Sequence, residues 1–173
     1  GSYRVGMEIY AKVAGGRKPR PVITEMGGKN PAIVGRSANL DLAAEGVTRA
    51  AFGLSGQKCS ACSRVYVHAD VKDAFVAKLA AEAEKVQVGD PTQQEHWMGP
   101  VINRRAYEAY KAHVTELRSQ GHILAGGATL DKRGFYVAPT VVDALPETHP
   151  LCRQELFLPI VLVAGFTDSD EAL

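Results

Sequence analysis

The sequence has almost no charge of one sign to spare. Its 20 lysines and arginines stand against 19 aspartates and glutamates, for a formal net charge of +1 over 173 residues. That balance gives no electrostatic footprint for nucleic acid or an anionic membrane surface. Long hydrophobic runs are missing too. One of the strongest, Pro159 to Phe166, falls far short of the roughly 18 residues a membrane span needs. No apolar signal region follows Gly1-Ser2-Tyr3-Arg4, so nothing points to secretion. Cysteine is scarce, and the three present cannot all pair. Reduced thiols in the cytoplasm, or in the mitochondrial matrix of a eukaryote, fit that usage. Neither a G-x-G-x-x-G fingerprint nor a P-loop occurs, which leaves no self-contained nucleotide site.

What is present is an ordinary globular composition, 46% hydrophobic and 23% charged, long enough for one domain with a buried core. The periodicity alternates strands with helices. A weak helical pattern covers Tyr3 to Val13, and short β-branched runs lie at Pro21 to Glu25 and Pro31 to Val34. Asn39 is placed to cap a helix from Leu40 to Phe52, with Asp41 at the positive end of its dipole. Ser63 to His68 alternates as a strand. Asp70 is expected to cap a second helix with Val71, Phe75, Leu79, Ala83 and Val86 on its apolar face. Asn103 is expected to cap a third, carrying Tyr107, Tyr110, Val114 and Leu117 and ended by Gly121. Strands are expected at His122 to Leu124, Phe135 to Val137, Thr140 to Val142 and Ile160 to Val163. The closing residues, Asp168 to Leu173, have the look of a helix start. The pattern predicts an α/β fold: a mostly parallel sheet with helices on both faces.

Three short stretches carry possible chemistry. In Gly56-Gln57-Lys58-Cys59-Ser60-Ala61-Cys62-Ser63-Arg64, Cys59 and Cys62 form a C-x-x-C. A zinc site would need two further ligands, yet Cys152 is isolated and no His-x₃₋₅-His pair exists. A redox pair belongs at the start of a helix, whereas this pair follows a helix and enters a strand. Cys59 as a lone nucleophile on a glycine-bearing loop is a third reading, and an inert buried thiol the plainest. Glu25-Met26-Gly27-Gly28-Lys29-Asn30 sets a carboxylate at a strand's end beside paired glycines, where a parallel sheet opens a cleft; a turn with a solvated charge is the alternative. Gln154-Glu155-Leu156-Phe157-Leu158-Pro159 reads equally as an ordinary strand entry.

Taken together, E-M-G-G-K-N, G-Q-K-C-S-A and E-L-F-L-P resemble the aldehyde dehydrogenase superfamily. Supporting stretches are Val88 to Pro91, Met98 to Ile102, Leu124 to Gly127 and Gly134 to Thr140, and Gly1-Ser2 is similar to the end of the family's F-T-G-S segment. The string from Gly56 to Arg64 looks most like that of the 1-pyrroline-5-carboxylate dehydrogenases. The resemblance implies that glutamate γ-semialdehyde is oxidised to glutamate with NAD, NADP not being excluded. It also implies that Cys59 attacks the aldehyde to give a thiohemiacetal, and that Glu25 activates the water that hydrolyses the thioester. The Cys59 N–H would serve the oxyanion hole and Ser60 the substrate carboxylate. Glu155 and Phe157 would meet the nicotinamide ribose and ring.

One departure stands out. Leu158 occupies the position where the family's E-x-F-G-P has glycine, which permits close approach and unusual φ. The family's cofactor-binding domain, oxyanion-hole asparagine and subunit-pairing arm find no match in these residues. The resemblance therefore implies a remnant helix of the cofactor-binding domain at 1–14 and a truncated catalytic domain at 15–173. The partners it implies are a small-molecule aldehyde and, in the whole protein, a second copy of the chain. Alone, the chain is expected to be inactive; a non-catalytic α/β module is the alternative.

Overall fold

The computed structural model describes every residue except Pro19, Asp131, Lys132, Ser169, Glu171 and Leu173. Its elements run α1 (Tyr3–Ala14), β1 (Asn30–Val34), α2 (Leu40–Phe52), β2 (Cys62–His68), α3 (Lys72–Lys85), α4 (Arg104–Gln120), β3 (His122–Ala125), β4 (Thr140–Asp143) and β5 (Ile160–Phe166). The strands form one five-stranded sheet in the order β1-β2-β5-β4-β3. β1, β2, β5 and β4 run parallel to their neighbours, and only β3 is antiparallel, on β4.

Both faces of the sheet are covered, as alternating strands and amphipathic helices require. Val65 and Val67 of β2 and Val161 and Val163 of β5 point to one side, packing with Ala44, Val47, Phe52, Phe75 and Leu79 of α2 and α3. Ile160 and Leu162 alternate to the other side and meet Tyr110, Val114 and Leu117 of α4. The period of two along β5 thus builds two cores from one strand. Tyr110 is almost completely buried, and its hydroxyl lies within hydrogen-bond distance of the Ala138 carbonyl (2.8 Å) and of Thr140 Oγ1 (2.7 Å).

The helix ends follow local chemistry. Asn39 Oδ1 accepts from the N–H groups of Asp41 and Leu42, Asn103 Oδ1 accepts from Ala106 N–H, and Gly121 closes α4. At the start of α3 the expectation fails. His68 Nδ1, not Asp70, receives the free N–H of a short 3₁₀ turn at Ala69–Val71, α3 begins at Lys72, and Asp70 instead pairs with Arg36 at 2.8 Å.

Two expected strands are absent. Residues 21–25 are outside any ladder, and Ile23 is 91% exposed; β-branched residues favour a strand only when a neighbour is there to pair and pack. Phe135 to Val137 makes only an isolated bridge, Val137 to Thr129. The Phe135 carbonyl is taken by Val101 N–H and that of Tyr136 by Leu130 N–H. Half of the residues in the helix start expected at 168–173 lie outside those described.

Replacing Tyr110 by phenylalanine removes the hydroxyl that joins α4 to Ala138 and Thr140 while keeping the ring. We expect Tyr110→Phe to lower unfolding stability by about 1 kcal/mol in a urea titration, with an unchanged m-value. An unaltered midpoint would show that this buried hydrogen bond contributes nothing net.

Candidate active site

Three loops meet at the amino ends of the parallel strands. Residues 25–29 lead into β1, Cys59 to Ala61 into β2, and Leu158-Pro159 into β5. The carboxyl-end cleft expected of a parallel sheet is therefore not where the motifs gather. Glu25 does not end a strand; it precedes one.

Close backbone approach draws the loops together. A Cβ on Gly28 would lie 2.1 Å from the Cys59 carbonyl oxygen, and one on Gly56 would lie 2.3 Å from that of Leu158. Gly56 also sits at φ +69°, where a side chain is strained. Asn30 reinforces the first contact by donating from Nδ2 to the Cys59 carbonyl (2.6 Å) and to that of Ala61 (3.2 Å). The loop before Cys59 is pinned from the other side. Gln57 Oε1 accepts from Ile102 N–H at 2.9 Å, its Nε2 donates to the Leu54 carbonyl, and Ser55 Oγ donates to the carbonyl of Gly99. Leu54 and Ser55 both adopt positive φ, a strained pair that these bonds hold in place.

The two cysteines of the C-x-x-C have opposite environments. Cys59 is exposed and Cys62 buried, and all three thiols are free. Burial pushes the Cys62 thiol up to about 11, and it donates to the Arg64 carbonyl at 3.3 Å. Such a thiol stays protonated near neutrality and is a poor redox or metal partner. Among the described residues no group of three His, Cys, Asp or Glu side chains is arranged to hold a metal. Cys59 sits in the turn closed by the Ala61 N–H to Lys58 carbonyl bond, and its own N–H has no acceptor among the described residues. Ser60, beside it, is exposed.

Glu25 is exposed, and its segment is held by two main-chain bonds to Gly1, from the Gly1 nitrogen to the Glu25 carbonyl (2.7 Å) and from Gly27 N–H to the Gly1 carbonyl (3.1 Å). Its carboxylate has no hydrogen-bond partner among the described residues. Glu155 reaches the same strap: its Oε2 is 3.4 Å from the Cβ position of Gly27, while its Oε1 is buried and unpartnered. A cavity of about 340 Å³ opens beside it, lined among others by Gln57, Arg105, His113, Glu155 and Phe157. Phe157 is half exposed at φ +57°. The unusual φ thus falls on Phe157, and Leu158 turns its side chain into the core against α4. Leucine is accommodated there, and its carbonyl still receives Gly56.

The loops thus bring the segments that carry Glu25, Cys59 and Glu155 to one edge of the sheet. The sequence model described as the aldehyde dehydrogenase family matches residues 1–173. The chain belongs to the aldehyde dehydrogenase family. It is 40% identical over 177 aligned positions to 1-pyrroline-5-carboxylate dehydrogenase 1 of Halalkalibacterium halodurans and 41% identical to the 1-pyrroline-5-carboxylate dehydrogenase of Bacillus subtilis. In both cases all of this chain is aligned, and it spans 34% of the relative's length. Among solved structures, γ-glutamyl-γ-aminobutyraldehyde dehydrogenase from Burkholderia cenocepacia superposes with a TM-score of 0.93 at 36% identity, over 99% of this chain and 35% of that one. The 1-pyrroline-5-carboxylate dehydrogenase from Thermus with bound NAD gives 0.87 at 31%, over 99% and 34%. Among the described residues no helix is long and apolar enough to cross a membrane.

Sequence reasoning gave no role to Asn30, Gln57, Ser55 or Lys29. Asn30 and Lys29 stood inside a recognised motif, but which carbonyls Asn30 meets depends on contacts 29 and 31 residues away, and no local pattern signals those.

The contrast between the thiols is directly measurable. In the folded protein iodoacetamide is expected to alkylate the exposed Cys59 at least about tenfold faster than Cys62 near pH 8, because burial shields the Cys62 sulfur and keeps it protonated. In guanidinium the two rates converge. Equal rates in the native protein would contradict the assignment of Cys62 as a buried, protonated bystander.

Proposed function

We propose that this chain carries the nucleophile and general base of an NAD(P)-dependent aldehyde dehydrogenase whose substrate is a semialdehyde bearing a carboxylate, foremost glutamate γ-semialdehyde. The observation that carries the reading is the exposed Cys59 with its unpaired N–H, fixed by Gly28 and Asn30 on the strap that holds Glu25. Relatives named for 1-pyrroline-5-carboxylate support the substrate class. The likeness to the γ-glutamyl-γ-aminobutyraldehyde enzyme supports other glutamate-derived aldehydes as runners-up.

In this reading the Cys59 thiolate forms a C–S bond to the aldehyde carbon, and the oxygen of the resulting thiohemiacetal accepts from the Cys59 N–H. Once the carbon is at the oxidation level of a thioester, Glu25 takes a proton from water as its oxygen attacks. The C–S bond then breaks, releasing the acid and the thiol. Ser60, adjacent to the nucleophile, donates to the substrate carboxylate. A nicotinamide dinucleotide, when bound, supplies the hydride acceptor. The residues present fit one end of it: Glu155 Oε1 is buried with no partner, the Gly27 position leaves the space beside Oε2 open, and Phe157 offers an exposed ring.

Residues 1–14 are assigned to the cofactor-binding unit and 15–173 to the catalytic unit. In support, α1 buries none of its residues, and its Gly6 lies against the Met26 side chain of the strap. A homo-oligomer and a cytoplasmic setting follow from the same family resemblance.

The test is aldehyde-dependent cofactor reduction by the full-length protein, with glutamate γ-semialdehyde compared with aldehydes lacking a carboxylate. Cys59→Ala is expected to lower turnover by roughly 10³-fold or more, and Glu25→Gln by about 10²-fold with an acyl-enzyme visible by mass spectrometry. Activity indifferent to Cys59→Ala would refute the mechanism, whereas a preference for uncharged aldehydes would refute only the substrate class. The 173 residues alone, about a third of the relatives' length, are expected to reduce no cofactor, and turnover by them would remove the need for a further unit.

A further inference from the structure

Asn30 has no part in the chemistry above, yet its side chain makes two hydrogen bonds to the turn that carries the nucleophile. Nδ2 donates to the Cys59 carbonyl at 2.6 Å and to the Ala61 carbonyl at 3.2 Å. The local fold explains why a side chain is needed there. β1 and β2 pair at Asn30 and Cys62 and then slip, so that Pro31 lies opposite Arg64. Pro31 has no N–H to give, and residues 58–61 lie ahead of β2. The turn is thus met by an amide at the mouth of β1 rather than by a regular ladder.

Those bonds complete the fixing of Cys59. A trans peptide is planar, and its C=O and N–H point opposite ways. The peptide before Cys59 is set by Ala61 N–H, which donates to the Lys58 carbonyl at 3.1 Å; Cys59 N–H therefore points out of the turn. The peptide after Cys59 is set by Asn30, which holds the Cys59 carbonyl and so turns Ser60 N–H away from the strap. Neither N–H has an acceptor among the described residues. With both flanking peptide planes held, φ and ψ of Cys59 are held too. The direction in which its side chain leaves the backbone follows from them.

We propose that Asn30 is a positioning residue acting through Cys59: its amide fixes the nucleophile's backbone so that the thiol and the Cys59 N–H meet the aldehyde carbon and its oxygen together. This rests on the aldehyde dehydrogenase reading, and it gives a role to a motif residue that the resemblance left without one. The residue type matters. An amide NH₂ brings two hydrogens, one for each carbonyl, whereas a carboxylate of the same shape brings none. Asn30 has no bearing on whether the thiol is exposed; it bears on the angle from which the thiol and its neighbouring N–H act at once.

The experiment follows the first turnover of full-length protein loaded with NAD and mixed rapidly with glutamate γ-semialdehyde. Asn30→Ala is expected to slow the first turnover about 10²-fold, the scale for a reacting group misplaced by about an ångström. Iodoacetamide alkylation of Cys59 needs an exposed thiolate and no oriented N–H, so its rate is expected to stay within about twofold of wild type. NAD affinity, measured by calorimetry, is expected to be unchanged. Asn30→Asp keeps the shape without the donors and is expected to lose as much activity; it replaces Asn30→Ala if circular dichroism shows that variant unfolded. A wild-type first-turnover rate in either folded variant would overturn the proposal while aldehyde oxidation through Cys59 stood. Equal falls in turnover, alkylation rate and NAD affinity would also overturn it, being the mark of a loosened fold. A wild-type protein that oxidises no aldehyde would overturn both the proposal and the reading beneath it.

Discussion

At Gly28 and Gly56 the main chain of one motif lies against a carbonyl of another, so closely that a single added carbon would strike it. Everything at the site depends on those two contacts. Gly28 sets the height of the Cys59 turn over the strap that carries Glu25, and Gly56 sets the same turn against the peptide that leads from Glu155 into β5. Neither contact is strong as an attraction. Each is a steric permission, and the binding energy comes from what it allows: the Asn30 bonds to Cys59 and Ala61, and the Gln57 and Ser55 bonds to the segment at 99–102.

The sheet makes the permission useful. β1, β2 and β5 are parallel neighbours, so the loops that enter them arrive at one edge whatever their own sequences. Two cores, one on each side of β5, fix that edge. A thiol on such a loop is exposed yet immobile at its backbone, which suits a nucleophile whose target must approach within bonding distance. Cys62, three residues on, has already entered the ladder, and the irregularity that skips Ser63 turns it into the same core as Val65 and Val67. Three residues in the chain separate an exposed thiol from a buried one.

Local signals were legible in the sequence where local forces decide the outcome. The cap at Asn39, the limits of α2 and the closure of α4 by Gly121 all depend on residues within a turn of each other, and the structure has them. The runs at Pro21 to Glu25 and Phe135 to Val137 looked equally strand-like, but a strand needs a partner, and partners are not written locally. Asp70 lost the cap because a 3₁₀ turn at Ala69–Val71, capped by His68, precedes α3, and the Asp70 carboxylate is taken by Arg36. The candidate site was legible only through its resemblance to a family. Spacing alone left Cys59 open to four readings, because what distinguishes it from Cys62 is burial, a property of the assembled sheet.

Leu158 shows how the same geometry tolerates a break in its own pattern. A glycine there would supply freedom of φ and a small profile. In this chain Phe157 holds a left-handed φ, and the leucine side chain enters the apolar layer beneath α4. The demand at this point is therefore on the Leu158 carbonyl, which must meet Gly56, and not on the side chain, which has a core to enter. The strain is carried by an aromatic residue at the surface, where a ring held rigid by its own backbone is presented next to Glu155. Strain of this kind persists only where surrounding contacts over-determine the chain. Gly56 on one side and the start of β5 on the other do so here.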